Sequence, residues 1–386
     1  MSNHNTLFNN SMHFVCSSRV RFHDLRLLTT FVWAIVGLLI SESINLSQWL
    51  LFRSGPAKAS SKQRQLSRWL HNPKINPMAV YLPFVQQALL EWTGETMYLA
   101  LDTSQLWNRY AIVRLALVYR GRALPLGWTV LNSGSATVAL ERYQSILVQV
   151  ASVIPADSQV VLLADRGFLD VKLMQLSRDL GWHFRIRIKS SIWIYRATKR
   201  RRKVKTLMPA PGCARFFTRV WLTEQRLGPV HLALAYVQTD NGYEKWAIVS
   251  DEPAGLETLD EYGLRFDIEE NFLDDKSAGF DLESSEIRDA NALSRLCLIL
   301  AVATIYLVST GTAVVEMGRR WVVDTHWQRG LSYFQIGWRW VKRALHCGEK
   351  LLAFMWLSAV PDPEPAMASW KQFLKPDLRL SRIEWL

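Results

Sequence analysis

The sequence contains few cysteines and lacks the patterns of proteins that depend on them. Its 386 residues include four widely scattered cysteines, with no Cys-x-x-Cys pair and no cluster of histidine with cysteine. A disulfide scaffold and a structural zinc site are therefore excluded. Internal repeats and low-complexity tracts are also missing, and 49% of the residues are hydrophobic. This length and composition indicate two or three folded domains.

Long hydrophobic runs are absent as well. The two most apolar stretches, residues 27–40 and 296–308, end in polar residues after 14 and 13 positions. A membrane-spanning helix needs about 18–20 residues. The first run follows basic residues, as a secretory leader would, but no small-residue cleavage site comes after it. We expect two buried helices, no membrane contact and a cytoplasmic protein.

Acidic residues are missing from one segment and crowded into another. The net charge is +12, yet residues 185–205 hold ten bases and no acid, and residues 251–289 hold 14 acids and three bases. The rest of the chain outside 251–289 therefore has a net charge of +23. A basic surface favours phosphate or anionic lipid, and packed acids favour divalent cations. Together they favour a metal-using nucleic-acid enzyme over a simple DNA-binding module or a metabolic enzyme.

The first 95 residues predict a helical domain behind a loose polar leader at 1–20. We expect its helices at residues 25–41, 45–52 and 60–71. Basic side chains of the third helix, Lys62, Arg64 and Arg68, lie away from its apolar face. A helix, a turn and a basic helix are typical of the helix-turn-helix, whose second helix enters the major groove of DNA. The alternative is a small helical bundle with a solvated basic face.

Residues 96–310 predict an α/β domain with a mixed sheet. We expect strands at 98–103, 111–119, 122–131, 159–164 and 182–189, and helices at 137–154 and 169–180. Residues 190–250 predict an all-β insertion, and helices follow at 256–278 and 291–308. Residues 311–386 form a third region with a helix at 331–346, a possible dimerisation element.

Acidic residues follow two of the predicted strands. Asp102 comes after the apolar run YLAL and Asp165 after VVLLA. Strand ends converge at one edge of a mixed sheet, so two such carboxylates can meet. Alternatively, each aspartate caps only its own turn. The acidic segment contributes a third set of polar residues. On an α-helix, which rotates 100° per residue, four of them would share one stripe about 60° wide: Tyr262, Arg265, Glu269 and Lys276. A helical face that is only solvated would also tolerate such a stripe.

These motifs resemble those of a known family. The series Tyr262, Arg265, Glu269 and Lys276 matches the YREK signature of bacterial insertion-sequence DDE transposases of the insertion-sequence-four type. LALDTS around Asp102 and ADRGF around Asp165 are similar to the family's first and second catalytic motifs. The order of strands resembles its ribonuclease H-like core interrupted by a β insertion. The resemblance extends over about residues 20–345.

The resemblance implies a metal-dependent DNA enzyme. Asp102, Asp165 and Glu269 would hold two Mg²⁺ ions, for which Mn²⁺ can substitute, with Asp102 shared between them. Tyr262, Arg265 and Lys276 would contact DNA phosphates near the transposon end. The resemblance also implies a homodimer in the synaptic complex.

Two further features are candidates for DNA contact. In the family a tryptophan at the position of Trp246 stacks on a flipped base; the alternative is an ordinary core tryptophan. The basic run that includes Arg200, Arg201 and Arg202 favours non-specific contact with the DNA backbone over a solvated loop.

The sequence thus predicts a cut-and-paste transposase that binds terminal inverted repeats in double-stranded DNA, cleaves the ends and joins them to target DNA. Two alternatives stay open: a ribonuclease H-like nuclease without strand transfer, and a catalytically idle DNA-binding protein derived from a transposase.

Overall fold

A computed structural model describes residues 3–135, 137–196, 201–239, 242–268, 280–351, 355–366 and 382–385. Ten α-helices lie in these residues: α1 (Asn3–Ser17), α2 (Leu25–Ser41), α3 (Leu46–Trp49), α4 (Ala59–Leu70), α5 (Pro77–Ala88), α6 (Gln144–Ala151), α7 (Val171–Asp179), α8 (Leu256–Gly263), α9 (Ala290–Glu316) and α10 (Tyr333–Cys347). Short 3₁₀ segments join several of them.

Eleven strands in the described residues form one continuous sheet: β1 (Thr96–Leu106), β2 (Tyr110–Tyr119), β3 (Arg122–Asn132), β4 (Gln159–Ala164), β5 (His183–Arg187), β6 (Trp193–Tyr195), β7 (Arg201–Lys203), β8 (Cys213–Leu222), β9 (Leu227–Thr239), β10 (Gly242–Ser250) and β11 (Arg382–Trp385). Their order is β3-β2-β1-β4-β5-β10-β9-β8-β6-β7, with β11 beside β8. Strands β1, β4 and β5 run parallel, whereas β1 to β3 form an antiparallel meander.

The predicted mixed α/β architecture is confirmed, and the predicted insertion has a definite place in it. Strand β10 pairs antiparallel with β5, so the strands from β6 to β10 extend the first sheet and do not form a separate one. This pairing places β10 beside β5, one strand away from β4, which Asp165 directly follows.

The predicted loose leader is wrong, because residues 3–17 form helix α1. Leu7, Phe14 and Val15 are buried. Their spacing of seven and eight residues puts them on one helical face, which packs on α2 and α10. This segment is polar in its overall composition, so its narrow apolar stripe was not recognised from the sequence.

The acidic segment also departs from the predicted single helix over 256–278. Helix α8 ends at Gly263, and Leu264–Phe266 form a 3₁₀ turn. A 3₁₀ turn advances about 120° per residue where an α-helix advances about 100°. Residues 269–279 lie outside the described part of the chain.

Both apolar runs are buried helices, as predicted. Helix α9 is long and apolar enough to cross a membrane by length and composition, but its most apolar window is entirely buried inside the protein, as in core helices. Helix α2 and the following Leu46–Phe52 pass the same test only as one pair, bent by 103°. The predicted boundary between residues 310 and 311 falls inside α9. The main core extends from Leu7 to Leu357 and includes buried residues of α2, α9 and α10.

Candidate active site

The two predicted catalytic aspartates follow the last paired residues of two neighbouring strands. Strands β1 and β4 pair in parallel up to Leu101 opposite Ala164; Asp102 is the next residue of β1, and Asp165 directly follows the end of β4. Aligned residues of adjacent strands lie about 4.8 Å apart and point to the same face. Asp102 also accepts a hydrogen bond from the amide of Thr103 at 2.7 Å. The sheet thus brings together two carboxylates that are 63 residues apart in sequence.

Arginines flank this carboxylate pair on both sides. Arg114 of β2 is the antiparallel partner of Asp102 and is buried. On the other side, the register of β4 and β5 ends with Ala164 opposite Ile186, and Asp165 and Arg187 are the next residues of the two segments. Extending the registers by one residue places Arg114, Asp102, Asp165 and Arg187 in one row from β2 to β5. Sequence analysis missed Arg114, although a single charge inside the apolar run AIVRLALVY is a usable signal.

Helix α8 and its 3₁₀ extension cover this row. Arg265 donates from Nη1 to Oδ2 of Asp102 at 3.1 Å, and its side chain is only 5% exposed. Tyr262 is fully buried, and burial raises the pKa of its hydroxyl against the opposing effect of the Arg265 and Arg187 guanidinium groups. Of the predicted stripe, Tyr262 and Arg265 therefore both lie next to the carboxylates.

Helix α8 is fixed to the sheet by a buried ion-pair network. Arg185 of β5 donates to Glu261 of α8 at 2.6 Å and to Glu252 at 2.7 Å. The hydroxyl of Tyr98 on β1 donates to the other oxygen of Glu261 at 3.2 Å. Burial and the adjacent Glu261 carboxylate raise the pKa of Tyr98 to about 12. These contacts set the position of the turn that carries Arg265.

Glu269, Lys276 and Arg200 lie outside the described residues, so their predicted roles stay predictions. The last described residue before Glu269 is Ile268, which is buried against Ala100 and Ala116. Ala100 precedes Asp102 by two residues, on the same face of β1.

Trp246 lies beside this site, on β10, and is 1% exposed. Its ring packs against Tyr262 and Phe266, with centroid separations of 5.1 and 5.9 Å. Its indole Nε1 donates to Glu244 at 3.1 Å, and Arg187 donates to the same carboxylate at 2.5 Å. Burial opposes ionisation of Glu244, but these two hydrogen bonds keep its pKa below the ordinary value. In this conformation no face of the indole is open to a base.

A basic groove lies between α2 and α4, with a volume of about 560 Å³. Arg26, Arg64 and Arg68 line it. The third predicted DNA-contacting residue of α4, Lys62, instead donates to the carbonyl of Arg53 at 2.5 Å. The structure therefore separates Lys62 from the other two predicted residues and adds Arg26 to them.

The predicted basic run includes strand β7. Arg201 and Arg202 are exposed. Arg201 lies 4.7 Å from the centroid of the Trp193 ring, and the Lys203 ammonium lies 5.0 Å from it. Cations stacked on an aromatic ring keep their charge available to phosphate.

A second group of possible metal ligands lies at the other end of β5. One ligand atom each from His183, Asp251 and Glu252 lies within 4.8 Å of the others. Arg185 already pairs with Glu252 at 2.7 Å and with Asp251 at 3.7 Å. Arg185 thus already occupies part of the binding capacity of this group.

Comparison with known proteins gives structural similarity at a distance, without a match in sequence. No protein-family model and no curated protein matches the chain. A cryo-EM structure of the piggyBac transposase synaptic complex with hairpin DNA is similar with a TM-score of 0.42 and 10% sequence identity, covering 88% of this chain and 78% of that chain. A likeness this distant does not define the chemistry of this chain, which has to come from its own residues.

Proposed function

We propose that the protein is a DDE transposase of the insertion-sequence-four type, which cleaves transposon ends and joins them to target DNA. One observation carries the proposal: Asp102 on β1 and Asp165 at the end of β4 directly follow the last residue pair of these adjacent parallel strands, beneath the turn whose Arg265 binds Asp102. The YREK spacing and the motifs around both aspartates support it. The ribonuclease H-like core is part of the proposal and accords with three antiparallel strands followed by alternating helix and strand.

The donor set fits divalent cations. Both aspartates offer hard oxygen ligands, which suit Mg²⁺ or Mn²⁺. Oδ1 of Asp165 is buried and accepts no hydrogen bond from the described part of the chain, and a buried acceptor without a partner is costly. Asp102, Asp165 and Glu269 would hold the ions, which would stabilise the charge that develops during phosphodiester cleavage.

The other site residues would bind the DNA. A guanidinium fork forms paired hydrogen bonds with phosphate oxygens, so Arg265 would exchange Asp102 for a DNA phosphate when DNA and metal enter. Tyr262 and Lys276 would contact the same strand. The α2–α4 groove and β7 would bind the backbone of the duplex on either side. The protein would act as a homodimer in the synaptic complex, in the cytoplasm.

The test is metal-dependent cleavage and joining of a duplex that carries the inverted repeats flanking the coding sequence. We expect Ala in place of Asp102, Asp165 or Glu269 to abolish cleavage while DNA binding survives, and Asp179→Ala on the exposed end of α7 to leave both intact. Cleavage retained in any one of the three variants would remove that residue from the site.

The same assay separates the alternative functions. Cleavage by the wild-type protein without joining would identify a nuclease. Binding of the repeats with neither cleavage nor joining, in Mg²⁺ or in Mn²⁺, would identify an idle DNA-binding protein.

A further inference from the structure

Glu261 of α8 is bonded to two strands that lie on either side of β4. Its Oε1 accepts from the hydroxyl of Tyr98 on β1 at 3.2 Å, and its Oε2 accepts from Nε of Arg185 on β5 at 2.6 Å. Strand β4 lies between β1 and β5 in the sheet. One carboxylate thus holds α8 across the strand that Asp165 directly follows.

Arg185 is a fixed anchor for this carboxylate. Its side chain is 6% exposed, and its guanidinium also donates to Glu252 at 2.7 Å, to Oγ of Ser250 at 3.1 Å and to the carbonyl of Phe184 at 3.1 Å. A planar guanidinium with this many partners cannot follow a displaced helix. Helix α8 therefore has to keep Glu261 in one position, because loss of a partner from a buried charge is costly.

The same strand and the same helical segment are joined a second time at Asp102. Tyr98 and Asp102 are four residues apart on β1, so they face the same side of the sheet. Glu261 and Arg265 are also four residues apart, which is about one helical turn. The Tyr98–Glu261 bond and the 3.1 Å contact of Arg265 with Asp102 are thus two bridges between one strand and one helix. The first bridge limits how far the guanidinium of the second can move from its carboxylate.

We infer that Glu261 is a positioning residue for Arg265, which it holds within reach of Asp102. Its role in catalysis rests on the proposed function, in which the guanidinium exchanges Asp102 for a DNA phosphate. Because Glu261 fixes α8, this exchange needs a movement of the Arg265 side chain alone. A helix released from Tyr98 and Arg185 would lose the alignment, and cleavage would slow although the catalytic carboxylates are intact.

A simple effect of charge is the alternative to positioning. Any acid removed from α8 changes the potential at the nearby carboxylates, whichever residue carried it. Glu257 provides the matched control, because it lies in the first turn of the same helix, one turn before Glu261, and is exposed. Gln in its place removes the same charge from the same helix.

The first test observes Arg265 directly, by nuclear magnetic resonance of the full chain with isotopically labelled arginine nitrogens, free of DNA and in EDTA. The side-chain signal of Arg265 is assigned by its loss in Arg265→Lys. We expect Glu261→Gln to move this signal towards its position in Asp102→Asn, where the ion pair is absent, and Glu257→Gln to leave it in place. Tyr98→Phe removes one of the two bonds, so it should give a smaller shift in the same direction. It also provides the test if Glu261→Gln does not fold.

The second test measures single-turnover cleavage of the transposon-end duplex. We expect Glu261→Gln to slow cleavage by at least about tenfold without a change in DNA affinity, because only the alignment of the site is lost. Glu257→Gln should cleave at the wild-type rate. A positioning residue acts through the residue that it positions, so Glu261→Gln should cause no further loss in an Arg265→Ala background.

Three results would overturn the inference. An unmoved Arg265 signal in Glu261→Gln would show that Arg265 is held without this carboxylate, and it would leave the proposed function standing. Equal effects of Glu257→Gln and Glu261→Gln would indicate a charge effect. A further loss of cleavage in the double variant would show that Glu261 supports the site independently of Arg265. If the signal moves as expected but the wild-type protein does not cleave DNA, the positioning of Arg265 is confirmed and the proposed function fails.

Discussion

The guanidinium of Arg265 lies 3.1 Å from Oδ2 of Asp102, and the two side chains are 5% and 21% exposed. A cation in this position neutralises a carboxylate that the proposed function assigns to metal. If the proposed function holds, Arg265 and a divalent ion would compete for Asp102 until a DNA phosphate bound the guanidinium.

Replacing Arg265 by Ala should tighten metal binding and weaken catalysis. The competing positive charge is removed, so we expect Mn²⁺ to bind the DNA-free protein at least about tenfold more tightly, or about 1.4 kcal/mol. Cleavage should fall, because the phosphate loses its guanidinium partner. Electron paramagnetic resonance of free Mn²⁺ measures the first effect. Arg109→Ala, on the turn between β1 and β2, is the control. An unchanged Mn²⁺ affinity in Arg265→Ala would refute the competition.

The α2–α4 groove predicts unequal roles for the basic residues of α4. Arg64 and Arg68 line the groove, whereas Lys62 is bonded to the Arg53 carbonyl. Each lost phosphate contact lowers the slope of log affinity against log salt by about 0.9. Gln at both arginines should thus lower the slope for duplex binding by nearly two. Lys62→Gln should chiefly reduce stability. The same change of slope in Lys62→Gln as in the arginine variants would contradict this division.

Trp246 should contribute strongly to the stability of the fold. It is also the candidate residue for base stacking. It is buried between Tyr262 and Phe266. Truncation of a buried aromatic residue to Ala costs about 3–5 kcal/mol, so Trp246→Ala should unfold at lower denaturant and disturb Tyr262. Trp246→Phe retains a ring but loses the hydrogen bond to Glu244. If base stacking occurs here, the Phe variant should form DNA hairpins at the ends more slowly while its stability stays near that of the wild type. Normal hairpin formation in a folded Trp246→Ala protein would exclude a stacking role.

The sequence predicted an element most accurately where one hydrophobic pattern extended through the whole element. Strand β4 has the predicted bounds, 159–164, because an unbroken apolar run is followed directly by Asp165. Helix α5 was missed although Asn76 caps it and Pro77 occupies its first turn, a typical start of a helix. The pairing of Asp102 with Arg114 was not predictable, since strand register depends on long-range packing.

The prediction of a single stripe from Tyr262 to Lys276 shows a different limit of sequence patterns, which is that they assume regular helix geometry. It assumed a constant 100° per residue, and the chain instead tightens to a 3₁₀ turn at residues 264–266. The turn begins three residues after Glu261, through which Arg185 holds α8 to the sheet. The network around Arg185 was also invisible in the sequence, because its members come from four separate segments.

The cations of β7 should contribute non-specific affinity for DNA. Gln at Arg201, Arg202 and Lys203 removes three charges and should flatten the salt dependence of duplex binding by about three units of slope or slightly less. Lys172→Gln is a suitable control, because this exposed lysine is already paired with Glu141 at 2.7 Å. Titrations across a range of salt concentrations measure both slopes. An unchanged slope in the triple variant would show that β7 is only a solvated edge.

Asp324 should make the segment between α9 and α10, residues 317–332, sensitive to acid. Burial alone would raise the pKa of this carboxyl, but hydrogen bonds from His326, Gly330 and Arg320 lower it to about 2, from an ordinary 3.8. A pKa depressed in the folded state stabilises the fold above the unfolded value and loses that effect as the pH falls through the folded one. The shift corresponds to about 2 kcal/mol.

Asp324→Asn should therefore lower the free energy of unfolding by about 2 kcal/mol near pH 6, and its difference from the wild type should shrink as the pH falls from about 4 towards about 2. Urea unfolding across this range measures the difference. Asp179→Asn, on the exposed end of α7, is the control. A difference between Asp324→Asn and the wild type that stays constant with pH would mean that packing of residue 324, and not its charge, holds the loop.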